Sequence, residues 1–135
     1  MAAFRPLPAL VLVGGLVLVL MTALHVWNSP ARRLERLQQE VAQKGGRVFQ
    51  TTLNGEELAF LLQDCKLYKL EVTRRSLRRE LVLKPDFYPL AFCFEQSIER
   101  KGDTLEVYLL MQALGAGGGN QGGGTYRSTD GRQWQ

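Results

Sequence analysis

Hydrophobic and polar positions divide the chain into two unlike parts. From Pro6 to Ala31 no residue is charged, while residues 32–135 hold 16 of the 17 Lys and Arg and all 13 Asp and Glu. Leu7–Trp27, LPALVLVGGLVLVLMTALHVW, is apolar but for Thr22 and His25. At about 1.5 Å per residue it matches a hydrocarbon core of about 30 Å, which predicts one transmembrane helix. Asn28-Ser29-Pro30 then closes the span and opens a second helix, with Ser29 as cap and Pro30 at its first position. Leu34, Leu37 and Val41 recur at helical spacing, one heptad after Trp27, until Gly45-Gly46 stops the pattern.

Beyond Gly46 the elements shorten. Arg47–Thr52 reads as a strand. Asn54 with Glu57 resembles a capping box, and Leu58, Leu61, Leu62 and Cys65 predict a helix over about 55–64. From Lys66 the period becomes two: Tyr68, Leu70 and Val72 alternate with Lys69, Glu71 and Thr73. The arginine run 74–79 interrupts, and Glu80–Leu83 resumes as a strand. Leu90–Arg100 and Thr104–Gln112 form a hairpin around Gly102-Asp103. Its register sets Ile98 opposite Val107, Gln96 opposite Leu109 and Phe94 opposite Met111, with Phe92 and Phe94 on the apolar face. Seven of the ten residues 115–124 are Gly, which predicts a flexible tail.

The expected fold is α+β: a single transmembrane helix, an amphipathic helix, then a small antiparallel sheet of 4–5 strands with one packed helix and a Gly-rich tail. The expected domains are anchor 1–28, juxtamembrane helix 29–46, α+β domain 47–114 and tail 115–135.

Charge and chemistry narrow the function. A single His, His25, lies inside the apolar run, where an interfacial position outweighs a proton relay because the segment holds no acid. No Ser/His/Asp set, Walker loop or zinc motif is present, so neither catalysis nor a cofactor is expected. Trp27, Leu34, Leu37 and Val41 are candidate partner contacts, from another subunit or a second copy. The competing reading is a linker helix lying on its own domain. Arg74, Arg75, Arg78 and Arg79 are candidate anionic-ligand residues. The polar part has a net charge of only +3 (16 minus 13), and a solvated turn between strands is the favoured reading of such a run. Nucleic acid is not expected, since no aromatics interleave with it. Cys65 and Cys93 are the only thiols: a disulfide, or two buried small hydrophobes. Glu99 opposite Glu106 is repulsive unless Lys101 lies near.

Ser128–Trp134, STDGRQW, resembles an Asp-box, the Ser-x-Asp-x-Gly-x-x-Trp hairpin of sialidases and propellers, which implies a structural role. Turn chemistry alone predicts an exposed tail with a local Asp-Gly turn. The layout from Leu7 to Leu114 resembles the bitopic assembly subunits of type IV pilus and type II secretion machines, and is similar in outline to pseudopilins. That resemblance implies a structural subunit of a membrane complex at a bacterial inner membrane. The short N-terminal tail places the domain outside the cytoplasm, whereas Arg32, Arg33, Arg36 and Lys44 against Arg5 place it inside.

Overall fold

The computed structural model describes residues 7–27, 29–86, 89–115 and 119–135; within helix α1, side chains are described for 14–24 and 27. The elements are α1 (Leu7–Trp27), α2 (Pro30–Ala42), β1 (Arg47–Leu53), β2 (Glu56–Gln63), β3 (Lys66–Val72), β4 (Leu77–Leu83), β5 (Ala91–Lys101), β6 (Thr104–Ala113) and β7 (Asn120–Ser128). They form two antiparallel sheets, β1-β2-β3-β4 and β5-β6-β7. Three layers result: α2, the four-stranded sheet, and the three-stranded sheet.

This arrangement corrects the expectation of one sheet with a packed helix. The segment expected to be helical over 55–64 is strand β2. Asn54 and Gly55 both have left-handed backbone (φ 52° and 80°), and Leu53 pairs with Glu56. That is a two-residue primed hairpin turn, which Asn-Gly favours. β2 lies inside its sheet with both edges paired, and a packed layer covers each of its faces. Leu58, Phe60 and Leu62 meet the second sheet, while Ala59 and Leu61 meet α2. A strand buried on both faces reads as a continuous apolar run. Leu58, Leu61 and Leu62 thereby acquire a helical spacing without a helix.

The expected membrane span is also corrected. Among the described residues no helix is long and apolar enough to cross a membrane. The transmembrane, single-pass and inner-membrane assignments fall with it. The His25 side chain lies outside the described set.

The expected flexible tail is replaced by β7, which pairs with β6 from Leu105↔Ser128 to Gln112↔Asn120. Glycine here permits close approach: a Cβ on Gly123 would overlap the Leu109 carbonyl oxygen, at φ +102°. Gly123→Ala is therefore expected to destabilise the chain by about 1–3 kcal/mol. Hydrogen exchange of the β7 amides should accelerate before that of β1–β4; equal protection in both proteins would contradict it.

Two packed interfaces hold the layers. Leu53, Leu58, Phe60, Leu62 and Leu67 oppose Ile98, Leu105, Val107, Leu109 and Met111 between the sheets. On the far side, Leu34, Leu37 and Val41 of α2 bury against Leu61 and Leu70. The Ser29 hydroxyl accepts from the Arg32 N–H at α2's start, and the Gln38 side-chain oxygen accepts from Val48 N–H at 2.6 Å, fastening α2 to β1.

Candidate partner-contact surface

The candidate partner contacts separate. Leu34, Leu37 and Val41 are buried in the chain's own core, whereas Trp27 is 69% exposed. Arg36 joins the helices around Trp27: its guanidinium lies 5.4 Å from the ring centroid, and Nη2 donates to the Trp27 carbonyl at 3.4 Å. The α2 stripe thus matches the reading of a helix laid on its own domain. Upstream, every side chain from Leu16 to Met21 is between 50% and 70% exposed. Six consecutive residues exceed a helical turn of 3.6, so the apolar surface runs around the whole helix. Just beyond this stretch the Thr22 hydroxyl turns back to the Leu18 and Val19 carbonyls.

The four arginines do not share a face. Arg74 and Arg75 sit in the turn 73–76, which is closed by the Thr73 and Ser76 hydroxyls, and the Arg74 carbonyl accepts from Arg33 at 2.7 Å. Arg78 and Arg79 are successive residues of the edge strand β4 and so point to opposite sides of the sheet. Arg78 lies 4.0 Å from Glu71, its cross-strand partner. Such an exposed pair adds less than about 1 kcal/mol.

Cys65 and Cys93 are joined in a disulfide with Cα atoms 5.4 Å apart. Cys65 ends the Asp64-Cys65 turn between β2 and β3, and Cys93 lies on β5, so the bond links the two sheets. Beside Cys93 the hairpin departs from the expected register. Ile98↔Val107 and Gln96↔Leu109 pair as the pattern implies, but a bulge between Cys93 and Glu95 sets Cys93 opposite Met111. Phe92 and Phe94, expected in the core, are 41% and 57% exposed, near exposed Leu90 and Leu114. A one-residue shift exchanges the faces of a strand, and no local signal at 91–94 announces it.

On the outer face of the second sheet, Lys101 Nζ stands 2.8 Å from Glu99 and 2.6 Å from Glu106, and Arg127 Nε stands 3.0 Å from Glu106. The hydrogen bond from Lys101, then that from Arg127, holds the Glu106 carboxyl below its ordinary pKa. The facing Glu99 and Glu106 are therefore bridged by cations and form a surface ion cluster.

The C-terminal segment is not an exposed tail. The Ser128 hydroxyl accepts from Gly131 N–H at 2.8 Å and donates to Asp130 Oδ1 at 3.0 Å. Asp130 Oδ1 also accepts the Arg132 and Gln133 N–H groups at 2.8 and 2.9 Å. Arg127 and Gln135 exchange both backbone hydrogen bonds. The loop seats Trp134 edge-on against Phe60, with ring centroids 6.1 Å apart. Donation from Gln133 N–H, then Arg132 N–H, depresses the Asp130 pKa. A carboxyl depressed on folding contributes stability above its unfolded pKa and loses it as pH falls through the folded value. Acid is therefore expected to free Trp134 only beneath the ordinary aspartate range of about 4, as the pH falls through the lower value that Asp130 has in the fold. Asp130→Ala should do the same at neutral pH, read as a red-shifted Trp134 emission in a Trp27→Phe background. A Trp134 emission indifferent to both would contradict this role.

Among the described residues no group of three or more His, Cys, Asp or Glu side chains is placed to hold a metal. The arrangement defines a three-layer sheet sandwich with an apolar helix projecting from it. Compared with known families, curated proteins and solved structures, the chain matches none.

Proposed function

We propose that the chain is a non-catalytic assembly subunit of a protein complex, and that α1 is the element its partner protein covers. The observation that carries this reading is the unbroken apolar surface from Leu16 to Met21, exposed on every side. A helix apolar all round belongs in a larger packed structure, and a contiguous apolar patch of this kind marks an interaction site. The sandwich buries most of its apolar residues, including the α2 stripe, in internal cores. Outside the smaller group Leu90, Phe92, Phe94 and Leu114, α1 carries the longest run of exposed apolar side chains among the described residues. The resemblance to pilus and secretion subunits rests on a layout with an N-terminal span and is not carried forward.

A photo-reactive residue at Leu18 in the full chain, in the cells that make it, tests the proposal. The expected product is an adduct with one protein of defined mass, co-purifying in a fixed ratio and lost in Leu16→Asp/Leu20→Asp. Adducts with lipid alone, or none, would overturn it.

A further inference from the structure

Strand β5 carries one residue more than β6 can pair. From Glu95 to Lys101 its register is held firmly. Gln96 accepts from Cys65 N–H at 3.0 Å and donates to the Gly45 carbonyl at 2.8 Å, and Ile98 is buried opposite Val107. Residues 91–93 have two ways to continue. In the structure Cys93 faces inward opposite Met111, Ala91 faces inward opposite Ala113, and Phe92 and Phe94 are exposed. Without the bulge, Phe94 would oppose Met111 and Phe92 would oppose Ala113, both on the inner face, and Cys93 would face out.

Apolar burial alone favours the second arrangement, because it exchanges a Cys and an Ala for two Phe rings in the core. The bond to Cys65 favours the first. Cys65 is fully buried, and a Cys93 turned to the outer face points its Cβ away from it. Cys65 also occupies left-handed backbone (φ 53°), where side chains other than Asn or Asp are rare and Gly is the easy choice.

We propose that Cys65–Cys93 is a redox latch on the register of β5. Oxidised, it holds the bulge and presents Phe92 and Phe94 on the surface. Reduced, residues 91–94 slip by one and both rings enter the core. Closing the latch requires a disulfide oxidant, for which oxidised glutathione serves. One Cys thiolate attacks the oxidant and releases a thiol; the other attacks the mixed disulfide and releases a second thiol. The two electrons and two protons lost by the cysteines end on those two thiols.

The full chain carrying fluorinated phenylalanine at its six Phe positions tests this by fluorine NMR with a soluble paramagnetic agent. Phe92→Leu and Phe94→Leu assign the two signals. In oxidised glutathione both should be broadened strongly; in reduced glutathione both should lose that broadening and match buried Phe60. Cys65→Gly breaks the bond while suiting the turn, and should show the reduced pattern under oxidant. Deleting Phe94 removes the second register, so Phe92 should stay broadened in both buffers. Identical broadening of Phe92 and Phe94 in both redox states would overturn the latch. So would a redox response in the Phe94 deletion, or collapse of all dispersed signals on reduction, which would make the bond a support of the whole fold.

Discussion

Replacing Leu34, Leu37 and Val41 together by Ser is expected to unfold the chain at room temperature rather than to detach a partner. All three side chains are buried against Leu61 and Leu70 of the four-stranded sheet. Truncating one buried Leu costs about 2–5 kcal/mol, and Ser adds a hydroxyl that must find a hydrogen bond. Three such losses, even with partial relaxation between neighbours, rival the roughly 5–15 kcal/mol that stabilises a typical domain. Circular dichroism should lose its sheet signal and urea unfolding its cooperative transition. Leu37→Ala alone should lower the unfolding free energy by about 3 kcal/mol and leave the fold intact. A triple variant that kept native sheet signal while losing a bound protein would restore the stripe to the partner surface.

Phe60→Ala is the second large effect, at about 3–5 kcal/mol. Phe60 is fully buried between the sheets and bears on three parts of the fold. It sits in the middle of β2, it takes the edge contact from Trp134, and its ring tip lies under Gly131, where an added Cβ would come within 2.8 Å. Removing the ring thus opens a cavity and unseats the C-terminal loop. Chemical denaturation should give the loss in stability, and Trp134 emission should shift red before the main transition. Phe60→Leu, which keeps most of the volume, should cost less than about 1.5 kcal/mol and leave Trp134 in place. If Phe60→Ala cost no more than the Leu variant, the two-sheet core would not be organised around this ring.

Local chemistry made several elements legible in the chain. Ser29-Pro30 marks the start of α2 and Gly45-Gly46 its end, because a cap hydroxyl, a pre-set φ and a left-handed stop act within a few residues. The lower part of the β5–β6 hairpin was legible for the same reason, since turn and alternation specify one pairing. Asn54-Gly55 was a turn signal as well, but its hairpin was hidden by the apolar spacing of Leu58, Leu61 and Leu62. Only the presence of a layer on each side of β2 explains that spacing.

The sequence by itself determined where the chain is apolar, where α2 begins and ends, and which residues must alternate across β3 and β6. Each of these follows from backbone preference or side-chain periodicity over a few residues. The tertiary structure alone decided that β2 is a strand, that the Gly-rich segment pairs as β7, that Cys93 turns inward and Phe94 outward, and that the α2 stripe is core. Those outcomes depend on what lies across the sheet, above it or at the far end of the chain. A covering layer, a close backbone approach or a crosslink between distant residues changes which face of an element is worth burying, and no local pattern carries that information.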